Sequence, residues 1–77
     1  MNQGLNERVI NDFGFHPATE ETKPKHESIR IHARELAEFL IDTCPPSREL
    51  SLSLTALQEA SMWANAAVAC NLAPLER

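Results

Sequence analysis

Cys44-Pro45-Pro46-Ser47 separates two long stretches of helical periodicity, and it governs what this chain can become. Neither proline ring donates a backbone hydrogen bond, and each disfavours the helical conformation in the residue before it. A helix arriving from the N-terminal side therefore stops here. Ser47 is a good N-cap for the next helix, and Glu49 places a negative charge in its first turn, where the helix dipole favours one. A break this short turns the two helices antiparallel, as a hairpin.

The first long helix is predicted over residues 24–44, with Pro24 at its first position, where a missing N–H costs nothing. Ile29, Ala33, Leu36 and Leu40 form its apolar stripe, flanked by Ala37, Ile41 and Cys44. Glu27, Arg30, Arg34, Glu38 and Asp42 fill the opposite arc as a solvated face. The second long helix is predicted over residues 47–72, with Pro74 enforcing its end. Ahead of the hairpin, Leu5, Val9, Ile10 and Phe13 share one face of a short helix over residues 1–13. Residues 14–23 mix Gly, Pro, Thr and charge and read as a loop. The expectation is one all-α domain over residues 1–77: a short N-terminal helix plus a long antiparallel hairpin.

The second helix is apolar on two sides. Leu50, Leu54, Leu57, Ala64 and Val68 form the stripe for the first helix, while Leu52, Ala56, Trp63, Ala66, Ala67 and Cys70 lie on another side. A hairpin covers only one of these. The second needs the N-terminal helix or another chain, and the shortage of chain favours another copy. Leu52, Trp63, Ala66 and Ala67 are thus the predicted contacts of a homo-oligomer, with Trp63 as the large anchor that such contacts favour. Asn65 projects from neither stripe and is open to a bond across that interface or to a ligand. Cys44 at the turn and Cys70 near the open end stand about 35 Å apart along the second helix, too far for a disulfide within the chain.

Composition narrows the function. A net charge of −4 argues against binding to DNA or RNA polymers or to anionic membranes, which rests on a basic surface. No apolar run has signal-peptide or membrane-spanning length, so the chain is expected in the cytosol. His16, His26 and His32 are spread out, no metal-ligand spacing occurs, and nothing couples a nucleophile to a base. Neither metal nor cofactor nor catalysis is expected. The charges are nevertheless uneven: Lys23, Lys25, Arg30 and Arg34, four of the seven Lys/Arg residues, lie at the start of the first long helix. A helix N-terminus favours anions, so these lysines suggest a phosphate site, with Phe13, Phe15 and His16 upstream able to stack on a base. The alternative is that the lysines are solvated and that Phe13 and Phe15 anchor the N-terminal helix.

Four motifs in order carry a resemblance: Phe15-His16-Pro17, Lys25-His26-Glu27-Ser28-Ile29-Arg30, Cys44-Pro45-Pro46-Ser47-Arg48-Glu49 and Met62-Trp63-Ala64-Asn65-Ala66-Ala67. Over about residues 13–71 the chain resembles the small phage anti-CBASS sponges, whose helical hairpin is shared with the Thoeris-inhibiting sponges. The resemblance implies a non-enzymatic homohexamer in the host bacterial cytoplasm. It would sequester the cyclic oligonucleotide second messengers of CBASS, most of all cyclic dinucleotides, and so evade host immunity. Phe15 and Lys25 match the family's stacking aromatic and phosphate-contacting lysine, with Lys23 as the alternative to Lys25. Phe15 lacks the hydroxyl of the tyrosine typical there. His16 and Arg30 complete the implied ligand set, and Asn65 and Cys70 mark a possible second pocket or interface. Cys70 stands where relatives tend to carry the arginine associated with a cyclic trinucleotide pocket, so that capacity is not carried across.

Two other functions fit the same residues. One is sequestration of Thoeris-type cyclic ADP-ribose signals; the other is a structural or regulatory hairpin whose Ala/Trp face binds only protein. Whichever applies, the second apolar face predicts self-association. Analytical ultracentrifugation is expected to show a species much larger than 8.6 kDa. A clean monomer would remove that argument.

Overall fold

The computed structural model describes residues 3–72. It contains three α-helices in chain order: α1 (Gln3–Phe13), α2 (Thr22–Thr43) and α3 (Arg48–Leu72). No strand occurs among the described residues. The two long helices pack against each other as the hairpin that the double proline demands.

The turn is built as its residues dictate. The backbone N–H of Leu50 donates to Ser47 Oγ at 3.1 Å, and Ser51 N–H reaches the Ser47 carbonyl at 3.2 Å. Ser47 is therefore the N-cap of α3, with Glu49 in the first turn. At the other side of the break, Cys44 N–H still donates to the Leu40 carbonyl at 2.9 Å, after which Cys44 is extended. Both cysteines are free thiols and half-buried. Pro74 lies outside the described residues.

The start of α2 differs from expectation. The helix begins at Thr22, two residues before Pro24, because Thr19 and Thr22 cap it reciprocally. Thr22 N–H donates to Thr19 Oγ1 at 3.1 Å, and Thr19 N–H donates to Thr22 Oγ1 at 2.8 Å. Lys23 N–H then bonds the Thr19 carbonyl at 2.9 Å. This is a capping box with threonine in the position usually held by glutamate. Thr22 is also the only fully buried residue among those described.

Along the hairpin the half-buried positions are Ile29, Ala33, Ala37, Leu40 and Cys44 on α2, facing Leu50, Leu54, Leu57, Ser61, Ala64 and Val68 on α3. The α3 stripe is the expected one. On α2 the seam runs through Ala33 and Ala37, and Leu36 and Ile41 lie on its flanks, 46% and 55% exposed. The larger leucines thus gather near the turn, small residues line the middle of the seam, and Ile29 and Val68 lie at the open end.

No apolar side chain is buried among the described residues, and Phe13, Phe15, Phe39, Met62 and Trp63 are each 60% exposed or more. The body is flat, 50 × 33 × 12 Å, and its thickness is that of about one helix with side chains. Its radius of gyration is 16.1 Å, whereas a compact chain of this length is expected near 11 Å. Its accessible surface is 6173 Å², against about 4,700 Å² for a folded monomer of this mass. One copy alone is a sheet of helices with two exposed faces.

Ser47 is itself exposed, so its cap is an accessible test of the hairpin. Ser47→Ala should lower stability by about 1 kcal/mol, read as a smaller unfolding free energy in urea with an unchanged denaturant slope.

Candidate functional site

Lys25 projects from the second turn of α2 over a cleft of about 560 Å³ whose walls are Glu20, Glu21, Pro24, Ser28, Ile29 and Val68. Ser28 and Ile29 share the Lys25 side of the helix through the i+3 and i+4 spacing, Pro24 is its chain neighbour, and Val68 enters from α3. Lys25 and Arg30 are exposed and form no ion pair among the described residues. Lys23 is different, with its Nζ lying 3.5 Å from Glu20 Oε1. The two lysines of the motif are thereby distinguished: one is offset by a neighbouring carboxylate and the other is free.

The anion-attracting end of α2 is weaker than the sequence suggests. Its N–H groups at Thr22 and Lys23 are already bonded to Thr19, and Glu20 and Glu21 stand in the opening turn. What remains for an anion here is the Lys25 ammonium rather than the helix terminus.

The Lys25 cleft does not gather the other predicted ligand residues. None of Phe15, His16 and Arg30 lines the Lys25 cleft. Arg30 is five residues from Lys25, about 140° round the helix. Phe15 lies in the loop after α1 with 63% of its surface exposed. His16 is half-buried and donates from Nε2 to the Asn11 carbonyl at 2.6 Å. It closes the C-terminal end of α1, where a carbonyl has no helical partner.

A second cleft of about 590 Å³ opens between α1 and α3, lined by Leu5, Arg8, Val9, Asp12, Phe13, Trp63, Ala66 and Cys70. Here α1 reaches the C-terminal part of the second apolar face. Cys70 Sγ donates to the Asn11 carbonyl at 4.0 Å, and the Arg8–Asp12 ion pair, at 3.3 Å, stands at the rim. Ala66 and Cys70 are therefore partly covered by the chain's own α1, where another copy was expected. Leu52, Trp63 and Ala67 stay exposed, Leu52 by 52% and Trp63 by 69%. Trp63 Nε1–H reaches only Glu59 on its own helix, at 3.4 Å.

Asn65 is neither on the outer face nor free. His26 Nδ1 donates to Asn65 Oδ1 at 2.7 Å, linking α2 to α3 across the seam. Its position was readable, four residues after Ser61 and three before Val68, both seam residues. The partner was not, because nothing in the spacing pairs residues 39 apart.

Ser28 Oγ lies 3.3 Å from His32 Nδ1, the one hydroxyl–imidazole contact in the neighbourhood of Lys25. That nitrogen carries its proton toward the Ser28 carbonyl at 2.7 Å, so it cannot accept one from the hydroxyl. No group of His, Cys, Asp and Glu able to hold a metal occurs among the described residues. No described helix is long and apolar enough to cross a membrane.

The described residues thus form a flat helical hairpin with open apolar faces and a cation without an ion-pair partner over a cleft. Residues 5–69 match the family described as Acb2/Tad1, hairpin domain, and the chain belongs to that family of anti-CBASS and anti-Thoeris sponges. Its members act by sponge-type binding of signalling molecules and are not a known enzyme family. No curated protein and no solved structure gives a significant match to the chain.

The three histidines test this geometry directly. Neutral His26 and His32 should be Nδ1–H tautomers and His16 the Nε2–H tautomer, as long-range proton–nitrogen NMR correlations report. A neutral His26 carrying its proton on Nε2 would contradict the Asn65 contact.

Proposed function

We propose that this chain is a non-catalytic sponge that binds cyclic dinucleotide second messengers and withholds them from the effectors of host CBASS signalling. The observation that carries the reading is a sponge-family hairpin that leaves Lys25 unpaired over a cleft. A cyclic dinucleotide presents two phosphates and two flat bases. It calls for a few cations and exposed aromatic faces rather than a basic protein, which is compatible with a net charge of −4.

Lys25 supplies the cation and Phe15 the stacking face in this reading, with His16 and Arg30 nearby in the assembled site. Since Phe15, His16 and Arg30 do not line the Lys25 cleft, this reading completes the pocket between copies in a homohexamer. The excess exposed surface of roughly 1,500 Å² over a monomer of this mass supports such an assembly. It is of the order that one subunit gives up in forming stable contacts. The protein acts in the host bacterial cytoplasm, where the signal is made.

Isothermal titration with cyclic di-AMP, cyclic di-GMP, cyclic GMP–AMP, cyclic tri-AMP and cyclic ADP-ribose tests the reading. Binding of at least one dinucleotide is expected. Heat from cyclic ADP-ribose alone would reassign the signal, and no heat from any would reject a sponge for these messengers. Lys25→Ala should weaken dinucleotide binding about tenfold or more, the scale of one charge-assisted hydrogen bond. Lys23→Ala should change it by less than about twofold, since an exposed ion pair contributes little. The reverse ranking would move the phosphate contact to Lys23.

A further inference from the structure

Residues 26 and 65 form the one hydrogen bond that joins α2 to α3 among the described residues, between His26 Nδ1 and Asn65 Oδ1 at 2.7 Å. Both side chains are half-buried, and both sit one turn from the floor of the Lys25 cleft: His26 three residues before Ile29, Asn65 three before Val68. The seam around them is poor in shape. Near the turn, Leu40 meets a run of Leu50, Leu54 and Leu57, whose branched side chains resist sliding. Beyond them Ala33, Ser61 and Ala64 offer little to lock one helix against the other, and at the open end only Ile29 and Val68 add branched side chains beside the polar pair. A directed polar pair in an otherwise apolar helix contact specifies register, at some cost in stability.

We propose that Asn65, through His26, is a positioning residue for ligand binding: the bond sets the register and rotation of the turn of α2 that carries Lys25. The proposal rests on the Lys25 site being the ligand site. Its chemistry is simple. Nδ1–H donates, Oδ1 accepts, and the ring plane and the amide fix the relative rotation of both helices at one layer. Lys25, the residue just before His26, then stands over Ile29 and Val68 in a single orientation. Without the bond, the open end samples several registers and the ammonium is spread over several positions.

The test uses the full chain and titrations with cyclic di-AMP, cyclic di-GMP and cyclic GMP–AMP. Asn65→Leu removes the acceptor while keeping bulk. It should keep the helix content and assembly size of the wild type and weaken dinucleotide binding about fivefold, the scale of one net hydrogen bond. His26→Asn places an amide donor where Nδ1 stood and should bind within about twofold of wild type, whereas His26→Ala should lose as much as Asn65→Leu. In the Lys25→Ala background, Asn65→Leu should add less than about twofold, because the two residues act through one contact. A merely structural Asn65 would instead cost the same in both backgrounds. If Asn65→Leu does not assemble, the His26→Ala and His26→Asn pair decides the matter alone. Wild-type affinity in Asn65→Leu or His26→Ala, or equal losses in both backgrounds, would overturn the proposal while leaving the sponge reading intact. No dinucleotide binding by the wild type would instead reject the sponge reading, and this proposal with it.

Discussion

A pair of helices has one seam, and here that seam is the only extensive contact between helices among the described residues. Leu40, Leu50, Leu54 and Leu57 hold it near the turn, and His26 and Asn65 close it at the far end. The short α1 reaches α3 through Cys70 and a shallow apolar cleft but buries no side chain fully. With the seam in place the body remains a single flat layer, so large apolar residues stay in water on both sides. That arrangement is costly for one copy and ordinary for a subunit. The same flatness explains why the candidate ligand residues are dispersed: in a layer one helix thick, residues on opposite edges cannot turn toward a common centre.

Charge is distributed in keeping with this architecture. The ion pairs Arg34–Glu38, Arg8–Asp12 and Lys23–Glu20 join residues three or four apart on exposed helix faces, and each contributes little to stability. Their consequence is selective. They offset three cations locally and leave Lys25, Arg30 and Arg48 without carboxylate partners among the described residues. A protein that is acidic overall can thus present isolated positive charges for an anionic ligand. The capping of α2 acts in the same direction, since Thr19 and Thr22 occupy the helix terminus and leave the lysine side chain as the local attraction for phosphate.

The hairpin, its turn and its α3 stripe were legible because they depend on local rules. Pro45-Pro46 stops a helix by sterics alone, Ser47 caps by reaching its own backbone, and leucines at helical spacing must share a face. The start of α2 was harder to place. Pro24 suits a first position, but the Thr19–Thr22 box began the helix earlier, and threonine in place of glutamate disguised it. Leu36 belongs to the flank and Ala37 to the seam, the reverse of the expectation, because hydrophobicity marks the leucine whereas the small alanine permits the closest approach. The order of motifs also sufficed to place the chain among the hairpin sponges, a judgement that the family match over residues 5–69 supports.

By itself the sequence determined an all-helical hairpin, its point of reversal and an excess of apolar surface, since each follows from contacts within a few turns of chain. The tertiary structure alone decided what meets across the gaps. It paired Asn65 with His26, laid α1 over Ala66 and Cys70, and separated Lys25 from Lys23 by giving only one of them a carboxylate. Periodicity states which face a residue occupies, but not its height against a partner helix nor which exposed side chain folds back on its neighbour. Those depend on the relative placement of whole helices, and here one hydrogen bond at the open end of the seam helps to set it.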